Sequence, residues 1–413
     1  MKKDCGFNTG LLHVGSQGFP QNEILPPVSQ VSAFEYGSME ELECIFSHKK
    51  MGYAYSRIGN PTLTAFEDRI NRLEGGIGAV SCSSGMSAIT AAILNLCESG
   101  DEIIAGRGLY GGTIGLFHDL EKLGIHTIFA DVLDSRTIGS LANGRTRAVF
   151  GELISNPSLN VMDIAEAAEG AHKAGVPLIV DSTTATPYIS TPISFGADIV
   201  IHSTSKYING GGNSIGGIIV DGGKFSWDFD RHRSLSEFKK YGKMAFLVRL
   251  RTDIWENLGG CMAPMNAFLS FIGADTLGLR MERICENADA LARALDLEED
   301  ITVNYLTLES HPYHGYVEKQ LKGYGGGILN FRTGSRERAF RVINSLKYAM
   351  IASNIGDVRT LVIHPASTLY IRIDRSEMEA AGVYDDTVRV SVGIEDREDL
   401  IRDFVGAVRE SRK

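Results

Sequence analysis

Residues 177–220 read PLIVDSTTATPYISTPISFGADIVIHSTSKYINGGGNSIGGIIV. Three short apolar runs punctuate this stretch, at 177–181, 198–202 and 215–220. Their Val and Ile residues are not interrupted by alternating polar ones, the pattern of strands buried on both faces. Strands of this kind separated by helix-length segments make a mostly parallel sheet with helices on both sides. In open sheets of that class, ligands lie beyond the carboxyl ends of the strands. The residues that end each run are therefore the ones to inspect. The first run ends in Asp181. The second ends in His202 and continues as Ser203-Thr204-Ser205-Lys206.

Working outward, similar runs at 78–82, 102–105, 127–130 and 148–150 bring the expected strands to seven. Helical patterns fill gaps at 85–97 and 163–174, the second with an Asp163/Glu166 capping box and a stop at Gly175. Asn60-Pro61 is a helix start, Asn at the N-cap and Pro at the first helical position, followed by Leu63, Phe66, Ile70 and Leu73 and a stop at Gly75. The segment before it carries Pro26-Pro27 and Gly6, Gly10, Gly15 and Gly18, which predicts an extended arm with one short helix over 38–46. After Gly259-Gly260, a long helical stretch from about Pro264 carries the stripe Leu277, Met281, Ile284, Ala288, Leu291 and Leu295. Strands at 327–331, 369–373 and 387–392 and helices at 337–347 and 396–410 follow. The expected organisation is an N-terminal arm (1–60), a large α/β domain (61–259) and a smaller α+β domain (260–413).

Composition removes several function classes. The net charge is −10, which speaks against a nucleic-acid surface or a polybasic membrane patch. No apolar run reaches the ~18–20 residues of a membrane span. The opening MKKDCGFNTG has lysines with no apolar segment behind them, so no signal peptide is expected. The six cysteines are scattered, without CxxC or zinc spacing, which predicts reduced thiols in a cytoplasm and no metal site. There is no GxGxxG between a strand and a helix and no GxxxxGK[ST].

Three strand-end features remain. Asp181 follows four apolar residues, where a carboxylate needs a partner; read alone, a helix cap or a loop salt bridge accounts for it as well. Lys206 lies 25 residues after Asp181, one strand–helix–strand step on, so both face one rim. A surface lysine is the plain alternative; a lysine desolvated at such a rim can lose its proton and attack a carbonyl. Ser83-Ser84-Gly85-Met86 joins the 78–82 run to the next helix, a natural seat for a phosphate, although most such starts only cap. An amine for an aldehyde, an anion seat and an acid for a pyridine nitrogen are together what pyridoxal-5′-phosphate (PLP) requires.

With those residues in view, the chain resembles the Cys/Met-metabolism PLP enzymes. The motifs are YAYSRIGNPTLTAFEDRINRLEGG (53–76), SSGMSAI (83–89), LYGGT (109–113), SNPSL (155–159), DSTTATPY (181–188), GADIVIHSTSKYINGG (196–211), NIGDVRTLVIHPAST (354–368) and VRVSVGIED (388–396). The resemblance implies the PLP-dependent transferase fold type I. It implies that Lys206 binds the cofactor as a Schiff base and later shuttles protons, that Asp181 pairs with the pyridine nitrogen and that Tyr110 stacks on the ring. Gly85 and Met86 would give backbone N–H groups to the phosphate, with the hydroxyls of Ser203 and Ser205. Asn156 would lie near the ring hydroxyl, and Arg389 and Asn354 would bind the substrate. Tyr55 and Arg57 would reach the phosphate of a neighbouring subunit, making a dimer the active unit and a tetramer the usual assembly. Without the motif, Tyr55 reads as packing, Arg57 as a surface charge, Tyr110 as a core aromatic and Arg389 as the partner of an internal Asp.

Within the family, SIGGIIVDGGKFSW (214–227) and the 354–368 motif resemble the O-acetylhomoserine sulfhydrylase branch. That branch implies γ-replacement: O-acetylhomoserine plus sulfide (or a thiol) giving homocysteine and acetate in methionine biosynthesis; the sequence leaves open whether the sulfur arrives free or from a sulfur-carrier protein as its thiocarboxylate. A γ-elimination lyase on the same scaffold is the alternative. Gly112 stands where methionine γ-lyases have cysteine, which points away from it. Gly211, Ser182 and Leu369-Tyr370 also depart from the family's usual residues.

Overall fold

The computed structural model describes every residue except 1–4, 14–18, 20, 48 and 413, so Gly15 and Gly18 of the expected arm lie outside the described residues. The arm holds two described helices rather than one: α1 (Phe7–Leu12) and α2 (Met39–Phe46). α1 is not extended chain. Its Leu11 is fully buried in the main core and Phe7 packs edge-on against Tyr188 at 5.1 Å. Six residues are too few for a periodic stripe to stand out.

α3 (Pro61–Glu74) begins where the capping residues predict. Asn60 Oδ1 accepts the Thr62 N–H at 3.0 Å, and Gly75 ends the helix at φ 77°, a left-handed position. Its apolar face is completely covered; burial of Leu63, Phe66 and Ile70 contributes about 1.5–3 kcal/mol each. Then come β1 (Gly78–Cys82), α4 (Gly85–Leu96), β2 (Glu102–Gly106), α5 (Gly111–Glu121), β3 (His126–Ala130), β4 (Thr146–Glu152), β5 (Leu178–Asp181), β6 (Ile199–His202) and β7 (Gly217–Asp221). These seven strands form one sheet in the order β1-β7-β6-β5-β4-β2-β3. Only β7 runs against the others. Helices cover both faces, so the strands are the apolar runs that a two-sided core demands.

The helix expected from Pro264 is two, Pro264–Ala274 and Leu277–Asp296. The second joins two cores. Leu277, Met281 and Ile284 pack into the core of the seven-stranded sheet, and Ala288, Leu291 and Leu295 into that of the next. The second sheet contains β8 (Thr302–Asn304), β9 (Ile328–Arg332), β10 (Met350–Ile351), β11 (Leu361–Ile363) and β12 (Thr387–Ser391), in the order β10-β11-β12-β9-β8. Helices Arg336–Ser345 and Arg397–Glu410 pack on it. The strand expected at 369–373 is instead a set of turns after the short helix Pro365–Ser367. Tyr370 is buried there while Ile371 is exposed, but β12 already has β9 and β11 on its two edges. Among the described residues no helix is long and apolar enough to cross a membrane.

Candidate active site

The carboxyl ends of β1, β4, β5 and β6 meet the first turn of α4 around a cavity of about 250 Å³. Gly85, Met86, Tyr110, Asn156, Asp181, Ser203, Ser205, Lys206 and Arg389 all line it. Residues separated by more than three hundred positions in the chain thus come together at the rim that the strand pattern indicates.

The turn after β1 is built for close approach. Ser84 caps α4, its Oγ accepting the Ser87 N–H at 3.0 Å. The first N–H groups of a helix have no intrahelical acceptor and attract anions. A Cβ on Gly85 would lie 2.7 Å from Ser203 Cβ, and one on Gly217 would lie 2.2 Å from the Ser84 carbonyl oxygen. Glycine is required at both points for β7 and the β6 end to press against the turn. Ser203 and Ser205 place their hydroxyl oxygens 2.9 Å apart beside it.

Asp181 ends β5 in register with Ile201 and Glu152. Its Oδ1 accepts the Thr183 N–H at 2.9 Å. Burial pushes its carboxyl above the usual range, against the bonds from Thr183. Neither of the plainer roles, loop salt bridge or helix cap, is filled by Asp181 among the described residues. Lys206 Nζ donates to Asn354 Oδ1 at 2.6 Å. Burial, and then the charge of Arg389, push its ammonium below the ordinary lysine value, which favours the neutral amine.

Arg389 comes from the middle of β12 and is 2% exposed. It donates to Asn156 Oδ1 at 3.3 Å and to the Asn354 carbonyl at 3.0 Å, while its Nε has no partner. No internal acid pairs with it among the described residues. Burial lowers its guanidinium to about 10. Tyr110 is the N-cap residue of α5. Gly112 leaves space for its ring, since a Cβ there would lie 2.5 Å from the ring edge. Tyr55 and Arg57 do not line this cavity; Arg57 lies 5.5 Å from the Tyr55 ring and donates to the Glu256 carbonyl at 2.6 Å.

Glu152, Thr183, Ile215, Ser353 and Ile355 also line the cavity, and the sequence pattern does not single them out. Glu152 is within reach of the strand-end rule. The apolar run stops at 150 because Gly151 interrupts it, whereas β4 continues through Glu152. Gly151 is needed for packing, as a Cβ would lie 2.5 Å from Met162 Sδ.

The arrangement fits PLP on its own terms. It offers a desolvated amine, a glycine-lined turn at a helix start with two hydroxyls, a buried acid in no ion pair among the described residues and an arginine with an unpartnered donor. Residues 8–409 match the family described as Cys/Met metabolism PLP-dependent enzyme. The chain is 38% identical to an O-acetyl-L-homoserine sulfhydrylase of Corynebacterium glutamicum, over 97% of this chain and 96% of that one. It is 39% identical to a homocysteine synthase of Schizosaccharomyces pombe, over 97% and 98%. Among solved structures, one from Campylobacter jejuni described as an O-acetylhomoserine (thiol)-lyase, with N′-pyridoxyl-lysine-5′-monophosphate, superposes with a TM-score of 0.93 at 32% identity, covering 97% of this chain and 99% of that one. A cystathionine gamma synthase of Xanthomonas oryzae, in complex with aminoacrylate and cysteine, gives 0.86 at 30%, covering 99% of each.

Proposed function

The chain belongs to the Cys/Met-metabolism PLP-dependent enzymes of fold type I, and from that membership we propose that it catalyses γ-replacement on O-acetyl-L-homoserine. Sulfide or a thiol takes the place of acetate at Cγ, giving homocysteine or its thioether. The observation that carries this reading is the Lys206 amine, desolvated and bonded to Asn354 Oδ1 at 2.6 Å, in one cavity with the buried Asp181 and an Arg389 whose Nε has no partner among the described residues. The names of the relatives support the substrate.

PLP, when bound, supplies an aldehyde for an amine and a ring that accepts an electron pair from the carbon next to the substrate carboxylate. Lys206 would carry it, and Asp181 would hold its ring nitrogen protonated. The Gly85 and Met86 N–H groups with the Ser203 and Ser205 hydroxyls would seat its phosphate. Asn156 would lie by the ring hydroxyl, and Tyr110 would cover the ring face. Arg389 takes the substrate carboxylate, whose two oxygens suit the free Nε–H and its neighbouring N–H as a fork. This fixes Cα near Lys206. Nζ, once unprotonated, can then accept the Cα proton and return it, with Asn354 Oδ1 fixing the direction of the amine.

The same reading gives an arm (1–60) that contributes Tyr55 and Arg57 to a neighbouring site, a large domain (61–259), a C-terminal domain (260–413), a homotetramer of active dimers and a cytoplasmic location. The exposed apolar residues of the arm, with Ile24 84% and Met51 96% accessible, support the assembly. The chemistry is tested by product analysis of purified protein with O-acetylhomoserine, with and without sulfide. Homocysteine and acetate in equal amounts are expected. Predominant 2-oxobutanoate and ammonia with sulfide present would replace the reading by γ-elimination. Succinyl and phospho esters, and a carrier-protein thiocarboxylate as donor, complete the panel.

A further inference from the structure

Glu152 holds a crossing point of the site. It ends β4 and stands beside Asp181 of β5 in parallel register. It lines both the cavity around Lys206 and a neighbouring one of about 330 Å³. Its Oε1 accepts the Tyr110 N–H at 2.7 Å, and its Oε2 faces the Asn156 N–H at 3.4 Å. Asn156 in turn accepts from Arg389. No lysine, arginine or histidine among the described residues pairs with Glu152. Burial, and then the charge of Asp181, push its carboxyl above the usual range. An acid placed beside a second acid without a cation costs free energy. A neutral amide could accept from Tyr110 alone at lower cost, so the Tyr110 bond by itself does not account for the acid.

We propose that Glu152 is a positioning residue of the active site, its two carboxyl oxygens tying the Tyr110 turn to the Asn156 turn. β4 is hydrogen-bonded on one side by β2 and on the other by β5, so the sheet fixes the end of the strand. Both segments that Glu152 binds lie beyond the sheet: the Asn156 turn is closed on itself by the Ile154–Val161 bridge, and the Tyr110 turn leads into α5. The tie therefore sets the tyrosine that covers the ring relative to the asparagine that orients Arg389. It rests on the roles given above to Tyr110 and Arg389. Two acceptor oxygens are needed because two N–H donors converge from different loops.

Holoenzyme of Glu152→Gln and Glu152→Ala tests this. Glutamine keeps one acceptor for Tyr110 but offers an NH₂ toward Asn156; alanine offers neither. The readouts are kcat and KM together with the visible circular dichroism of bound cofactor, which reports how the ring is set and is not moved by packing changes elsewhere. Misplacement of this kind costs on the order of 10²-fold in kcat/KM, expected for alanine, with a smaller loss for glutamine. Both variants are expected to retain cofactor absorbance with an altered dichroic band. If alanine prevents folding, the glutamine variant decides. Parent-like kinetics and dichroism in it overturn the proposal. A parent protein that binds no PLP overturns the functional reading and this proposal with it, an outcome visible before any variant is made.

Discussion

At Arg389 the polar requirements of the fold and of the substrate are hard to separate. A guanidinium held 2% exposed carries a desolvation cost of several kcal/mol unless its donors are used. Two of them meet neutral oxygens and Nε meets none. A substrate carboxylate would supply both the missing acceptor and the missing charge. Lysine at this position would keep the charge but not the planar fork. Charge-assisted hydrogen bonds of this kind are worth about 1.5–3 kcal/mol, roughly ten- to a hundredfold in an equilibrium constant. Arg389→Lys is therefore expected to raise KM for the amino acid by that factor while leaving cofactor absorbance intact, read by steady-state kinetics and a visible spectrum. An unchanged KM would remove Arg389 from substrate binding. Arg389 was legible in the sequence because a charge inside the apolar alternation of TVRVS must find an anion, from the chain or from a ligand. Glu152 was not, because the glycine before it hid the last two residues of its strand.

At the scale of elements, the seven strands of the large sheet and the α3 caps were legible because each has a local cause: short apolar runs, or a cap residue with its stop. The 369–373 segment was not, because alternation over five residues says nothing of whether a partner edge is free. β7 shows a further property that no pattern reveals. Its last residue, Asp221, is 3% exposed, bonded through Oδ1 to the Gly223 N–H at 2.8 Å and unpartnered at Oδ2. Burial, with a contribution from Asp198, raises its carboxyl from 3.8 to about 7. Between those values the folded chain holds a proton that the unfolded chain has released, so stability falls as pH rises through the window and levels off above it. From pH 5 to 8 this one group accounts for about 2–3 kcal/mol of loss. The nearby His172–Asp198 pair, at 2.8 Å with the imidazole raised mainly by its bond to Asp198, acts in the same direction as it deprotonates. Asp221→Asn keeps the bond to Gly223 and removes the ionisation. Its urea midpoint is expected to change less between pH 5 and 8 than that of the parent. Parallel curves for the two proteins would contradict the assignment.

Lys206, Asp181 and Arg389 converge on a cavity that Tyr55 and Arg57 do not reach. Tyr55 is 41% exposed, and the arm around it presents Val31, Met39, Phe46 and Met51 to the surface. A segment with that much apolar surface and no core of its own needs another surface to cover it. In a two-fold dimer each arm would serve the opposite site. Mixed oligomers make this testable. One subunit carries Arg57→Ala and the other Lys206→Ala, each inactive or weak alone. If Arg57 serves its neighbour, a mixed dimer contains one site with both residues intact and one with neither. Random pairing makes half the dimers mixed, so about a quarter of all sites recover parental activity. If Arg57 serves its own chain, every site in every hybrid lacks one of the two residues and nothing is regained. Recovery near a quarter after co-refolding is the expected outcome, and no recovery despite hybrid formation on a native gel would confine the arm to its own subunit.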